Sequence, residues 1–175
     1  MRTRDLVMVA LMASATSVLA YVRIPLPFTP VPVTGQTFGV MLAGALLGPR
    51  LGALSMVVYV LLGAVGVPVF AGAEAGPGAL AGPTGGYLFG FIVGSFVTGL
   101  LVERCPRSST WYYFLAITAG GIIVVYTLGV AQLMAVTGLG LAEALWAGAV
   151  PFLPGDLLKA AVASTIAPRL KRVIS

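Results

Sequence analysis

The stretch Val150-Pro-Phe-Leu-Pro-Gly-Asp-Leu-Leu-Lys159, which continues Ala-Ala-Val-Ala-Ser-Thr-Ile-Ala-Pro168 and ends in Arg169, Lys171 and Arg172, decides how this chain is read. Counting back from Arg169 at about 1.5 Å per helical residue puts Lys159 some ~15 Å deep, near the middle of a hydrocarbon layer roughly 30 Å thick. An ammonium group at that depth is costly, so it marks a ligand site, an ion path or a paired internal group. Asp156 stands one helical turn earlier, on the same face as Lys159. From these residues alone two readings are open. The pair is an internal salt bridge that lets both groups survive burial, or it is a polar site in which Lys159 meets an anion and Asp156 accepts hydrogen bonds from a ligand. Pro154-Gly155, just before the pair, interrupts or opens the helix, a recurring device near transporter sites.

Working outward, the rest of the chain is as apolar as this segment. Of 175 residues, 59% are hydrophobic and 9% charged, against about 25% charged in soluble domains. Charge-free runs cover Leu6–Val22, Ile24–Pro49, Leu51–Ala73, Ala75–Val102 and Ser108–Ala142, several of them longer than the ~20 residues that span a bilayer. The expectation is an all-α integral membrane protein, a single transmembrane domain over residues 1–175. Its six helices are placed near Asp5–Val22, Gln36–Leu47, Arg50–Val65, Gly86–Glu103, Trp111–Thr137 and Val150–Ile174. Helices two and three are short and joined by a tight Gly48-Pro49-Arg50 turn, which works where protein rather than lipid covers their ends. With the N-terminus inside, Arg2, Arg4, Arg50, Arg104, Arg107, Arg169, Lys171 and Arg172 fall on one side, and only Arg23, Glu74 and Glu143 on the other. The positive-inside rule then puts both termini in the cytoplasm. The short basic flank Met1-Arg-Thr-Arg-Asp5 reads as the start of an uncleaved first span rather than a signal peptide.

Composition removes several function classes. The net charge of +5 is scattered over segment ends rather than gathered in a phosphate-binding stripe, which argues against nucleic acid. There is no histidine and a single cysteine, Cys105, which removes histidine-based metal sites, cysteine metal clusters and an intrachain disulfide. No Gly-x-x-x-x-Gly-Lys-Ser/Thr loop is present to hold ATP, and Asp156 has no second carboxylate nearby for paired acid–base work. A transporter built from this chain must borrow its energy from partners or use a gradient. An intramembrane enzyme using Asp156 and Lys159 and a small gradient-driven carrier are the competing classes.

Two connections stand out. Arg23-Ile-Pro-Leu-Pro-Phe-Thr-Pro-Val-Pro-Val-Thr-Gly35 carries four prolines, which remove backbone donors and lock φ, so it is extended and stiff. It is also apolar, and reads equally as a segment resting on the membrane surface or as a lid over a cavity. Gly72-Ala-Glu-Ala-Gly-Pro-Gly-Ala-Leu-Ala-Gly-Pro-Thr-Gly-Gly86 has the composition of a flexible linker, and its far end is a helix start where free backbone N–H groups can face a ligand. Gly86, Gly90 and Gly94 form a small-residue ladder read as helix packing.

Taken together, Pro30-Val-Pro-Val-Thr-Gly-Gln36, Gly44-Ala-Leu-Leu-Gly-Pro-Arg50, Gly63-Ala-Val-Gly-Val-Pro-Val-Phe70, Gly82-Pro-Thr-Gly-Gly-Tyr-Leu88 and Phe152-Leu-Pro-Gly-Asp-Leu-Leu-Lys159 resemble, in order and spacing, the BioY family of biotin-binding S-components of energy-coupling-factor (ECF) transporters. The resemblance implies a six-helix protein in the plasma membrane of a prokaryote. It implies capture of biotin as transported ligand on the external side, no cofactor and no enzymatic activity, and work with a transmembrane coupling protein and cytoplasmic ATP-binding subunits. An S-component for another small vitamin is the nearest alternative. The family's Asp and Lys fall on Asp156 and Lys159, and Gln36 and Tyr87 match further pocket positions. In this reading Lys159 takes the biotin carboxylate, Asp156 and Gln36 the ureido ring, and Phe28, Phe70 and Tyr87 wall the sulfur ring. Glu74 stands where the family often has Asn; it can accept hydrogen bonds but repels a ligand carboxylate. The family's Ala-x-x-x-Ala docking signature on helix one is matched by Ala10-x-x-x-Ser14.

Overall fold

The computed structural model describes residues 2–104 and 109–174, and almost all of them that are not in connections are helical. Cys105 and Arg107, which entered the disulfide and topology expectations, lie outside the described residues. The elements in chain order are α1 (Thr3–Tyr21), β1 (Arg23–Ile24), β2 (Val33–Thr34), α2 (Gln36–Ala64), α3 (Pro77–Ala81), α4 (Gly85–Glu103), α5 (Thr110–Thr118), a π-helical segment (Ala119–Val124), α6 (Val125–Thr137), α7 (Leu141–Gly148) and α8 (Leu153–Ile174). Among the described residues four helical stretches are long and apolar enough to cross a membrane, and α7 with α8, bent by 53°, make a fifth if taken as one span.

The helical run α2 is two arms, not one rod. Gly48 has φ 78° and ψ −177°, a backbone state that L side chains rarely adopt and glycine does freely. Pro49 follows and cannot supply the amide that would continue the ladder. Gln36 hydrogen-bonds Tyr59 across this break, two residues that a straight helix would hold roughly 35 Å apart. The chain therefore reverses at Gly48, as the Gly-Pro-Arg turn predicts, and packing Gly52 against Ala43 and Gly44 closes the hairpin. Helix α4 clasps the bend, with Gly99 on the Gly48–Pro49 backbone and Gly44 against Ser95 and Thr98. The expected ladder on α4 is a packing face: Gly86, Gly90 and Gly94 meet the backbone of Leu128, Val125 and Gly120, the close approach that small residues permit where lipid gives helices no hydrophobic reason to associate.

Four elements depart from expectation. The fifth helix is continuous from Thr110 to Thr137 but carries the π-helical segment around Gly120 and Gly121; Gly120 abuts Thr98 and Gly121 abuts Met41. The last helix begins at Leu153 rather than Val150, because Pro154 sits in its first turn, where its missing N–H costs nothing. Before it stands the short helix α7, unforeseen because eight residues are too few to read as a span and fall in the expected connection between the last two helices. Within the stretch expected to be a flexible linker, Pro77–Ala81 closes about one and a half helical turns, with Gly76 at its N-cap.

The cavity end of the bundle gathers β1–β2, the 66–84 connection, α7 and the start of α8. Tyr21 at the end of α1 donates to the Pro68 carbonyl at 2.6 Å, and Thr29 in the proline loop donates to Ala147 at 2.7 Å. Arg23, Glu74 and Glu143 belong to this end. Helix α1 and the first arm of α2 run antiparallel, since Gly35 meets Leu19 and Gly39 meets Thr16, so Arg2 and Arg4 lie at the far end with the Gly48 bend and Arg50.

Candidate functional site

The proline loop closes on itself by two antiparallel residue pairs, Arg23 with Thr34 and Ile24 with Val33. Its prolines leave few amides to pair, so the ladder stops there and the loop between bends over a cavity of about 220 Å³. Pro25, Leu26, Thr29, Pro30, Val31 and Pro32 all line this space and Val31 is buried. Of the two readings of the loop, the structure supports a lid packed on protein. The opposite walls are Phe70, Tyr87, Leu88, Phe91 and Phe152, and the polar lining includes Gln36, Thr37, Tyr126 and Asp156. Pockets for drug-sized ligands run to roughly 300 Å³ and above, so a cavity of about 220 Å³ is on the scale of one compact molecule.

At one end of the cavity the polar groups form a closed network. Asp156 is 3% exposed. Its Oδ1 receives Lys159 Nζ at 2.6 Å and the Thr37 hydroxyl at 2.8 Å, and its Oδ2 receives the Tyr126 hydroxyl at 2.6 Å. Lys159 Nζ also donates to the Thr34 carbonyl at 2.5 Å and to Thr37 Oγ1 at 3.0 Å. An ammonium has three N–H donors, and all three of Lys159's are spent on protein. Asp156, in the first turn of α8, also sits where the helix dipole favours an anion.

The salt bridge is formed, and Asp156 lines the cavity, whereas Lys159 touches three lining residues without lining it. Asp156 Oδ2 and the Tyr126 hydroxyl, both on lining residues, each keep acceptor capacity, so this end is chemically suited to N–H donors. Gln36, 3% exposed, gives one N–H to the Tyr59 hydroxyl at 2.5 Å, and Tyr59 in turn donates to the Val69 carbonyl at 3.0 Å. That leaves the Gln36 carbonyl oxygen and its second N–H for a ligand.

The aromatic wall is set by glycines. Phe70 stands edge-on to Tyr59, ring centroids 5.7 Å apart, with its ring against Gly63. Tyr87 is fixed by a 2.6 Å bond to the Gly148 carbonyl and by an edge contact with Tyr126 at 6.5 Å, and its ring lies on Gly129. The structure thus brings Asp156, Gln36, Tyr87, Phe70 and Glu74 to one cavity and places Lys159 directly behind Asp156 and Thr37. Phe28 is a correction: it is 64% exposed and does not line the cavity, because Thr29, not Phe28, is the loop residue anchored inward. Ala10 and Ser14 lie on the exposed outer face of α1, away from the site.

Sequence reasoning missed Thr37, Tyr126 and Arg23. Thr37 directly follows a chosen residue, and an Asp that must stay charged at depth calls for hydroxyl donors. Tyr126 carried no local signal, being one aromatic in a long apolar run. Arg23 was used only for topology.

With that geometry in place, the likenesses to known proteins are specific. A family model described as the BioY family matches residues 1–175. A biotin transporter BioY of Rhizobium etli is 44% identical over 173 residues, covering 95% of this chain and 92% of that protein. A biotin transporter BioY of Thermotoga maritima is 45% identical over 170 residues, covering 97% of each. The crystal structure of the S-component for biotin from an ECF-type ABC transporter superposes with a TM-score of 0.91 at 29% identity, covering 98% of this chain and 95% of that one. This chain belongs to the BioY family.

Proposed function

We propose that this BioY-family chain is the biotin-binding S-component of an ECF-type vitamin uptake system, a single membrane-embedded binding domain that captures biotin and does no chemistry on it. The observation that carries this reading is the cavity of about 220 Å³ under the proline loop, with an acceptor-rich polar end and an aromatic wall. Biotin's ureido ring offers two N–H donors and one carbonyl. The donors suit Asp156 Oδ2, the Tyr126 hydroxyl and the Gln36 carbonyl, and the ureido oxygen suits the remaining Gln36 N–H. The sulfur ring takes the Phe70 and Tyr87 side, where apolar area and ring edges are both available.

The protein carries no ATP-binding loop, so it works with a transmembrane coupling protein and cytoplasmic ATP-binding subunits in a prokaryotic plasma membrane, with both termini cytoplasmic and the cavity facing outward. The two arms of α2 count as separate spans in this arrangement, giving six. Ala10 and Ser14, two small residues one turn apart on the exposed face of α1, let the coupling protein's helix approach closely.

Titration calorimetry on the purified chain, with biotin and no ATP, tests the reading. Saturable binding displaced by desthiobiotin but not by riboflavin is expected. An unchanged thermal transition with no heat from biotin overturns it.

A further inference from the structure

Resting on the biotin reading, we infer that Arg23, and not Lys159, holds the ligand's carboxylate, so that the ureido head lies against Asp156 and the acid tail points to the mouth between the proline loop and the 70–74 turn. An anionic tail needs a cation with donors to spare. Lys159 has none: its three N–H groups go to Thr34, Thr37 and Asp156. Swinging it to a ligand leaves Asp156, 3% exposed, as a buried carboxylate without its counter-charge, the costly half of a broken buried pair.

Arg23 is in the opposite condition. It lines the same cavity from β1, forms no ion pair among the described residues, and makes one long bond, from Nη1 to the Ala71 carbonyl at 3.5 Å. A guanidinium has five N–H donors in a fork that fits a carboxylate with two parallel bonds. Its position is also prepared. The guanidinium lies over Gly72 at φ 78°, where any Cβ collides with Nη1 and Cζ, so the 70–74 turn is shaped to let this side chain cross the mouth. Glu74 lines the cavity too and repels an acid tail, which makes an unpaired cation on this rim necessary rather than incidental.

The test is a cycle of two ligands and three proteins: biotin and its uncharged methyl ester, bound to the wild type, to Arg23→Gln and to Lys159→Met, with thermal unfolding as a folding control. Arg23→Gln should weaken biotin by about ten- to hundredfold, the range for hydrogen bonds to a charged group, and leave the ester within about twofold. Arg23→Lys, which keeps the charge without the fork, should fall between them and covers the case in which the glutamine variant fails to fold. Lys159→Met should weaken both ligands alike. If the preference for acid over ester survives in both Arg23 variants, or collapses in Lys159→Met instead, the assignment to Arg23 is overturned while the biotin reading stands. If the wild type binds neither ligand, the biotin reading itself falls.

Discussion

The two ends of the cavity are built on opposite rules. At the Asp156 end every charged and hydroxyl group is partnered within 3.0 Å, and the carboxylate is held by Lys159, Thr37 and Tyr126 from three different helical segments or loops. At the Arg23 end the single guanidinium bond is 3.5 Å long, Glu74 is exposed, and the turn contains Gly72, Ala73 and Gly76 at positive φ. The first arrangement is held by protein partners alone, the kind of preorganisation that lowers the entropy cost of binding. The second leaves charge and backbone uncommitted where the proline loop meets the 70–74 turn. A binding protein that must also release its ligand gains from that division: the rigid end gives specificity, the loose end gives passage.

The sharpest way to break the contrast is Asp156→Ala. It strips Lys159 of its counter-charge, and removing one partner of a buried pair costs about 3–5 kcal/mol. Lys159 retains 21% side-chain exposure, so the lower end of that range is expected, together with loss of measurable ligand binding. Chemical or thermal unfolding in detergent checks the stability. Replacing both residues, Asp156→Leu with Lys159→Met, should recover most of the stability and none of the binding, because the desolvation cost disappears with the pair while the acceptors do not return. A single variant as stable as the wild type would show that the network is not holding the end of the cavity together.

Tyr126→Phe is the finer cut. It keeps the ring that meets Tyr87 and removes only the hydroxyl on Asp156 Oδ2. Hydrogen bonds to charged groups are worth about 1.5–3 kcal/mol, and water entering the cavity replaces part of that, so a loss near ~1.4 kcal/mol, about tenfold in affinity, is expected by calorimetry. An affinity unchanged within twofold would mean that Oδ2 is not where the ligand's N–H groups bind.

How far the sequence carries such an account depends on the kind of residue. Asp156 and Lys159 were legible because an ionised group in an apolar run has to be explained, and the Gly48-Pro49 reversal was legible because both residues forbid a straight helix. The proline loop was legible as stiff and apolar, and as a lid only at parity with a segment on the membrane surface, since proline fixes local backbone and says nothing about what it covers. Helix α7 and the π-helical segment were not legible. Helix α7 carries Glu143 in its first turn but is only eight residues long, too short to be told from a connection between spans. The π-helical segment lies in a continuous apolar run, where periodicity has no polar face to mark a break, with Gly120 and Gly121 against Thr98 and Met41 from elsewhere in the chain. Tyr126 belongs with them: its partner is distant in sequence, and only the folded bundle brings the two together.

Phe28 gives the smallest and most discriminating effect. In sequence it is as good a wall for a ring as Phe70, being aromatic, flanked by prolines and close to Gln36. In the structure the two differ in one respect that decides their roles. Phe70 is 2% exposed, its ring seated on Gly63 and edge-on to Tyr59, whereas Phe28 is 64% exposed at the outer side of a loop whose inward anchor is Thr29. Substitutions at exposed sites without such contacts stay within about 0.5 kcal/mol, so Phe28→Ala should change ligand affinity by less than about twofold and leave the unfolding transition in place. A larger loss of affinity, measured by the same calorimetry, would mean that the loop tip folds inward over a bound ligand.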